Sequence, residues 1–159
     1  MTFALVAVAR SSSSAVVSSV LAPTSNKQKP VILVVAGVIE KQGRFLLTQR
    51  FDHASQGGLW EFPGGKVEAG ESEAQALERE LYEELAIETT TGSFLADSVF
   101  DYGDKVIHLK GYLAHWVSGE LVLHSHQDAK WVEQDEINRY SLCPADYPIV
   151  DALVRHSCQ

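Results

Sequence analysis

The sequence predicts an α/β fold in which a mixed β-sheet lies between two helices, and three observations point there. Two runs rich in β-branched and large apolar residues, 31–39 and 44–49, flank a Gln42-Gly43 turn and read as a hairpin. An apolar stripe at three- and four-residue steps, Ala74, Leu77, Leu81 and Leu85, marks a helix. A second helical face recurs near the end of the chain, at Ile149, Ala152 and Leu153.

The elements follow in order from Pro30. After the hairpin, a polar loop over 52–58 leads into Leu59-Trp60-Glu61-Phe62-Pro63-Gly64-Gly65, where two glycines free the backbone for unusual dihedrals. Ser72 is a suitable N-cap for the first helix, which should run to about Leu85. Extended segments are expected at 93–101 and 106–117, then a Ser118-Gly119 turn and a strand around 130–132. A short helical pattern at 135–139 and a clearer one over 145–156 close the chain. No internal repeat is present.

Length and composition set the outer limits. A chain of 159 residues makes one domain with a sizeable core, because a chain of this size buries roughly two thirds of its unfolded surface. With 45% hydrophobic and 21% charged residues, and no apolar run near the ~20 residues a membrane span needs, no membrane partner is expected. A net charge of −8 would repel a polynucleotide backbone, and the same acidity suits a site that collects divalent cations. Cys143 and Cys158 have no neighbour at metal or redox spacing and read as free thiols of a reducing, cytoplasmic compartment. Residues 1–29 stand apart: a serine run at 11–14, only Arg10, Lys27 and Lys29 charged, and no acid before Glu40. They are expected to be a disordered or targeting-like extension ahead of a domain spanning 30–159. Their bias is that of an organelle transit peptide, and a start codon placed upstream of the true one would look the same.

The chemistry sits around the first helix. From Gly65 the chain reads Gly, five residues, Glu71, seven residues, Arg79-Glu80-Leu81, one residue, Glu83-Glu84. On a helix, Glu80, Glu83 and Glu84 stand three and four residues apart, so their carboxylates should converge within roughly 5–6 Å. Three anions so close oppose ionisation and helix formation unless a cation neutralises them, and a hard divalent ion is the natural partner. A glutamate-rich solvated face explains the three acids alone, but not the wider spacing. Six such identities coincide by chance in about one chain in 10⁵ at average composition.

This stretch resembles the Nudix box, and residues 31–156 are similar to the MutT-like branch of that family, including 59–66 and 141–148. The resemblance implies an α/β/α sandwich and attack of water at the inner diphosphate linkage of a nucleoside triphosphate, giving a nucleoside monophosphate and pyrophosphate. It implies that the Gly64 carbonyl, Glu80, Glu83 and Glu84 bind Mg²⁺, with Mn²⁺ a possible substitute, and that Gly65, Glu71 and Arg79 brace the loop and helix. It also implies that Arg50, Lys66 and Lys105 approach the phosphates, while Glu61, Phe62 and Asp146 lie near the base. The partner is then a small nucleotide, and the protein a monomer or homodimer. Two positions depart from the pattern: Ala86 stands where the box has glycine, and Ser125, between His124 and His126, where MutT-like members often carry a glutamate. The general base is therefore sought among Glu80 and Glu83, supported by Arg79, with His124 or His126 as alternatives.

For the base, ionised Asp146 can only accept hydrogen bonds, which favours an amine such as that of cytosine and repels the guanine O6 unless the carboxyl is protonated. The alternative for Asp146 is a plain N-cap on the last helix. The Pro144-Ala145-Asp146 stretch also resembles the cytidine triphosphate pyrophosphohydrolases of this branch. Sanitation of oxidised nucleotides such as 8-oxo-dGTP and hydrolysis of CTP, dCTP or 5-substituted forms both stay open. So does a catalytically silent, nucleotide-sensing domain, although the intact glutamates argue against it.

Overall fold

The computed structural model describes residues 27–158, and most of the extension read as disordered or targeting-like lies outside the described residues. The elements are β1 (Val31–Lys41), β2 (Arg44–Gln49), β3 (Trp60–Glu61), β4 (Gly64–Lys66), α1 (Glu73–Leu85), β5 (Ile87–Asp101), β6 (Val106–Gly119), β7 (Asp128–Glu133) and α2 (Tyr147–Ser157). Short 3-10 turns at Gln134–Arg139 and Pro144–Asp146 precede α2.

β1 organises the sheet. It pairs in parallel with β6 from Val31↔Val106 to Ile39↔Ala114, and antiparallel with β4 from Val34↔Lys66 to Ala36↔Gly64. Its last residues turn to meet β2 at Glu40↔Phe45 and Lys41↔Arg44, and β2 carries β7 and β3 on its two sides. The hairpin is closed by Gln42 and Gly43, both at positive φ (54° and 76°), a combination whose twist suits a two-residue connection between antiparallel strands.

Because successive side chains of a strand face opposite ways, β1 and β2 feed two separate cores. Val35, Ile39 and Leu46 pack with Ala76, Leu77, Leu81 and Leu85 of α1. Ala36, Val38, Phe45 and Leu47 pack with Ile149, Val150 and Leu153 of α2 on the other face. A mixed sheet between two helices follows, as expected.

Several boundaries differ from the sequence reading. β5 starts at Ile87 rather than at 93, and its register shifts between Glu88 and Thr89, between Thr91 and Phe94 and between Phe94 and Ala96. Such bulges erase the two-residue period by which a strand is recognised. Ser118 and Gly119 do not turn but end β6 opposite Glu88 and Ile87. β7 begins two residues before the expected start, the 135–139 pattern winds as a 3-10 turn, and the last α-helix begins at Tyr147. On α1 it is Ala76, not Ala74, that is buried with the three leucines. The buried sector thus reaches the flank shared by Glu80 and Glu84, one residue before Leu81 and Leu85.

α1 begins as expected. The Ser72 hydroxyl accepts from Gln75 N (3.1 Å) and the Gln75 side chain accepts from Ser72 N (2.9 Å), a reciprocal cap. It ends at Ala86, which adopts the left-handed conformation (φ 57°, ψ 26°) with its N–H on the Tyr82 carbonyl. The conformation that favours glycine is therefore kept, and alanine bears the strain. Beyond it, Leu85 O accepts from Val122 N (3.0 Å) and Glu84 O from His124 N (2.9 Å). The 120–124 segment thereby satisfies carbonyls that a helix end leaves open.

Candidate active site

The backbone brings the site together at β4. A Cβ on Gly64 would lie 1.9 Å from the Val35 carbonyl oxygen, and one on Gly65 would lie 2.2 Å from Cδ of Glu80. Only glycines let the bend pass this close to both β1 and α1. Arg79 ties the same pieces from outside. Its Nε and one terminal nitrogen grip Glu71 (2.5 and 3.0 Å), the latter nitrogen also reaches Lys66 O (3.0 Å), and the other contacts Glu80 (2.9 Å) and Glu83 (3.2 Å). These carboxylates hold the guanidinium proton more tightly than usual, and the Arg79 hydrogen bonds hold the Glu71 carboxyl below its ordinary range.

Inside the bend opens a cavity of about 530 Å³. Gly64, Gly65, Glu80 and Glu84 line it, together with Arg50, Glu61, Phe62, Lys66, Lys105 and Asp146. Glu71, Arg79 and Glu83 are not on its wall. Two of the three helix glutamates therefore converge, while Glu83, 57% exposed, points outward onto Arg79 four residues back. Among the described residues no three acids, histidines or cysteines stand close enough to hold an ion as they are.

Glu84 is the group that asks for one. Burial first, then the charges of Glu61 and Glu80, push its carboxyl up to about 8, against a backbone hydrogen bond from Gly64. Among the described residues its buried Oε2 has no hydrogen-bond partner. A hard cation beside Glu80 and Gly64 would restore the ionised form and occupy that oxygen, so the donor set fits a divalent ion.

Elsewhere in the cavity, Glu61 is held on several sides. Its Oε1 accepts from Arg50 (3.2 Å) and His126 Nε2 (3.0 Å), and its Oε2 from Arg50 (3.3 Å) and the Cys143 thiol (3.7 Å). Asp146 arrives because 141–143 runs beside Trp60, through Trp60 N on Ser141 O (2.9 Å) and Cys143 N on Trp60 O (2.8 Å). Its Oδ1 then accepts from Phe62 N (2.9 Å) and makes no helix cap, so the N-cap reading is set aside. Complete burial, reinforced by the Glu61 charge, raises the Asp146 carboxyl well above its ordinary value. The acceptor-only reading applies to the ionised carboxyl, and burial favours the form that can donate as well as accept. Lys66 and Lys105 join no ion pair among the described residues.

Sequence reasoning missed Tyr102, Ile107, Leu109 and Cys143 on the cavity wall. Both cysteines are free, and burial drives the Cys143 thiol upward, away from the reactive thiolate. His126 is buried and bonded to Glu61, whereas His124 is exposed and lies off the wall.

Comparison with known proteins agrees with this architecture. Residues 27–153 match the model of the NUDIX domain. The chain is 44% identical over 124 residues, covering 78% of itself and 92% of the other, to a protein of Escherichia coli (strain K12) named CTP pyrophosphohydrolase. It is 35% identical over 130 residues, covering 81% and 96%, to the 8-oxo-dGTP diphosphatase of Haemophilus influenzae. Among solved structures, the E. coli ORF135 protein superposes with a TM-score of 0.72 at 42% identity, covering 82% of this chain and 94% of that one. A MutT protein from Methanosarcina mazei Go1 gives 0.75 at 26% identity, covering 83% and 99%.

Proposed function

The chain belongs to the Nudix family, and on that footing we propose that it hydrolyses a nucleoside or deoxynucleoside triphosphate to the monophosphate and pyrophosphate, chiefly to remove oxidised nucleotides such as 8-oxo-dGTP. The observation that carries this reading is the shared cavity, where Glu80 and Glu84 of the box helix meet Arg50, Lys66, Lys105, Glu61 and Asp146. An acidic cation site, basic groups for phosphate and paired groups for a base are what a nucleotide triphosphate requires.

The Gly64 carbonyl, Glu80 and Glu84 would hold Mg²⁺ or Mn²⁺, with Glu83 joining if it exchanges its contact with Arg79. Such an ion, when bound, neutralises the polyphosphate and orients water for attack at phosphorus. Lys66 and Lys105, free of ion pairs among the described residues, meet the phosphates, while Glu80, or Glu83 once it has left Arg79, takes the proton of the attacking water. Burial favours the protonated form of Asp146, which can donate to a carbonyl such as the guanine O6 and still accept from a ring N–H, and this supports the oxidised-purine reading. Glu61, fixed beside it, faces an amine more readily. This supports the second reading, CTP, dCTP or a 5-substituted form, as does the E. coli relative.

Pyrophosphate release measured across normal and damaged nucleotides with Mg²⁺ separates the two. Preference for 8-oxo-dGTP is expected, preference for cytosine nucleotides would favour the second reading, and equal rates on all would sink both. No release at all, with nucleotide still raising the melting temperature, would replace the enzyme by a nucleotide-sensing domain.

A further inference from the structure

We propose that His126 is a positioning residue for substrate selection: it holds the Glu61 carboxylate where that group and Asp146 face the same part of the ligand. The inference rests on the nucleotide reading above and extends it to a residue outside the Nudix box.

Glu61 sits among groups that would otherwise move it. Arg50 draws it from one side at 3.2 and 3.3 Å, and the Cys143 thiol meets its Oε2 at 3.7 Å. Arg50, itself tied through Nε to Ser55 O (2.6 Å), holds Glu61 from the partly exposed side of the pair. His126 is rigid. Its side chain is only 3% exposed, and its Nε2 lies 3.0 Å from Glu61 Oε1.

The loop that carries His126 is fastened at both ends. His124 N donates to Glu84 O, so the loop hangs from the box helix, and Gln127 N donates to Gln49 O (2.9 Å) at the end of β2. The Gln127 side chain bonds Asp52 as well, as acceptor from its N–H (3.2 Å) and as donor to its carboxylate (3.1 Å). Little freedom is left to the ring between these two anchors.

The other ring nitrogen explains why packing alone does not account for the residue. A neutral ring that donates through Nε2 to a carboxylate leaves Nδ1 as an acceptor, and Nδ1 is buried with no partner among the described residues. A histidine chosen only to fill space would not leave a buried acceptor bare. Here the ring stands on the cavity wall and accepts that disadvantage to orient Glu61.

The test compares His126→Leu and His126→Gln with wild type, measuring kcat and KM separately on 8-oxo-dGTP, dGTP, CTP and dCTP with Mg²⁺, and thermal unfolding alongside. Leucine removes the bond to Glu61, and glutamine restores a donor near the place of Nε2. Loss of a bond to a charged group predicts a KM about tenfold or more higher for the preferred nucleotide in His126→Leu, and a smaller preference among bases. The expected kcat stays within about threefold, and His126→Gln recovers most of the KM. Wild-type KM and preference in His126→Leu would overturn the inference. A fall in kcat at unchanged KM would also overturn it, by moving His126 into the chemistry. So would equal losses in both variants that merely track lowered melting temperatures. A wild type active on the panel with an unaltered leucine variant sinks only this inference, whereas an inert wild type sinks the nucleotide reading and this one with it.

Discussion

A carboxyl group deprived of water holds its proton more tightly, and Asp146 is the residue where that decides most. Its folded-state affinity for a proton exceeds that of the unfolded chain. Stability from this group is therefore full below about pH 4, the unfolded value, and is lost as pH rises through the raised folded value, by at most about 1.4 kcal/mol per pH unit. Asp146→Asn keeps an oxygen for Phe62 N and removes the titration. The variant should match wild type near pH 4 and melt at increasingly higher temperature than wild type toward pH 8; a pH-independent difference would contradict the raised value. None of this was visible in the sequence. The box residues were legible because helical spacing is local, and one turn of α1 places Glu80 beside Glu84. The outward direction of Glu83 was not, since Arg79 competes for it. The Glu61–His126 contact spans 65 residues, and the fastening of the 124–127 loop to α1 and β2 creates it.

At the level of single elements, α1 is the part the sequence described best. Ser72 caps it as expected, and its leucines face the sheet. At its end alanine stands where the box has glycine, and the chain keeps the left-handed turn and strains Ala86. Ala86→Gly should accordingly stabilise the fold by about 1 kcal/mol, read as a higher urea midpoint at unchanged slope, with activity retained. A lower midpoint would show that the strain is relieved in some other way. β5 was only partly legible, because three register shifts in one strand scramble the alternation that marks the others.

For the molecule as a whole, class and layering were readable from residue pattern, but topology was not. The parallel pairing of β1 with β6 and the branching of β1 between β4 and β2 depend on contacts far apart in the chain. Those contacts place a buried, partnerless Glu84 oxygen where the layers meet, so occupancy by a cation should register in global stability. Saturating Mg²⁺ is expected to raise the unfolding free energy of wild type, by about 2.7 kcal/mol at a hundred times the dissociation constant. A chelator should reverse the gain. Glu84→Gln should fold at least as stably without metal, lose most of the Mg²⁺ response and turn over orders of magnitude more slowly. Near-normal turnover would remove Glu84 from the cation site. The attachment of the 120–127 loop to the last carbonyls of α1 has its own consequence. On the proposed function, the helix that would hold the cation and the wall that would sort bases are mechanically one part, so re-tilting that helix should also change which nucleotide is admitted. On that reading, selectivity would be retuned from the loop's own side chains, or not at all without disturbing hydrolysis.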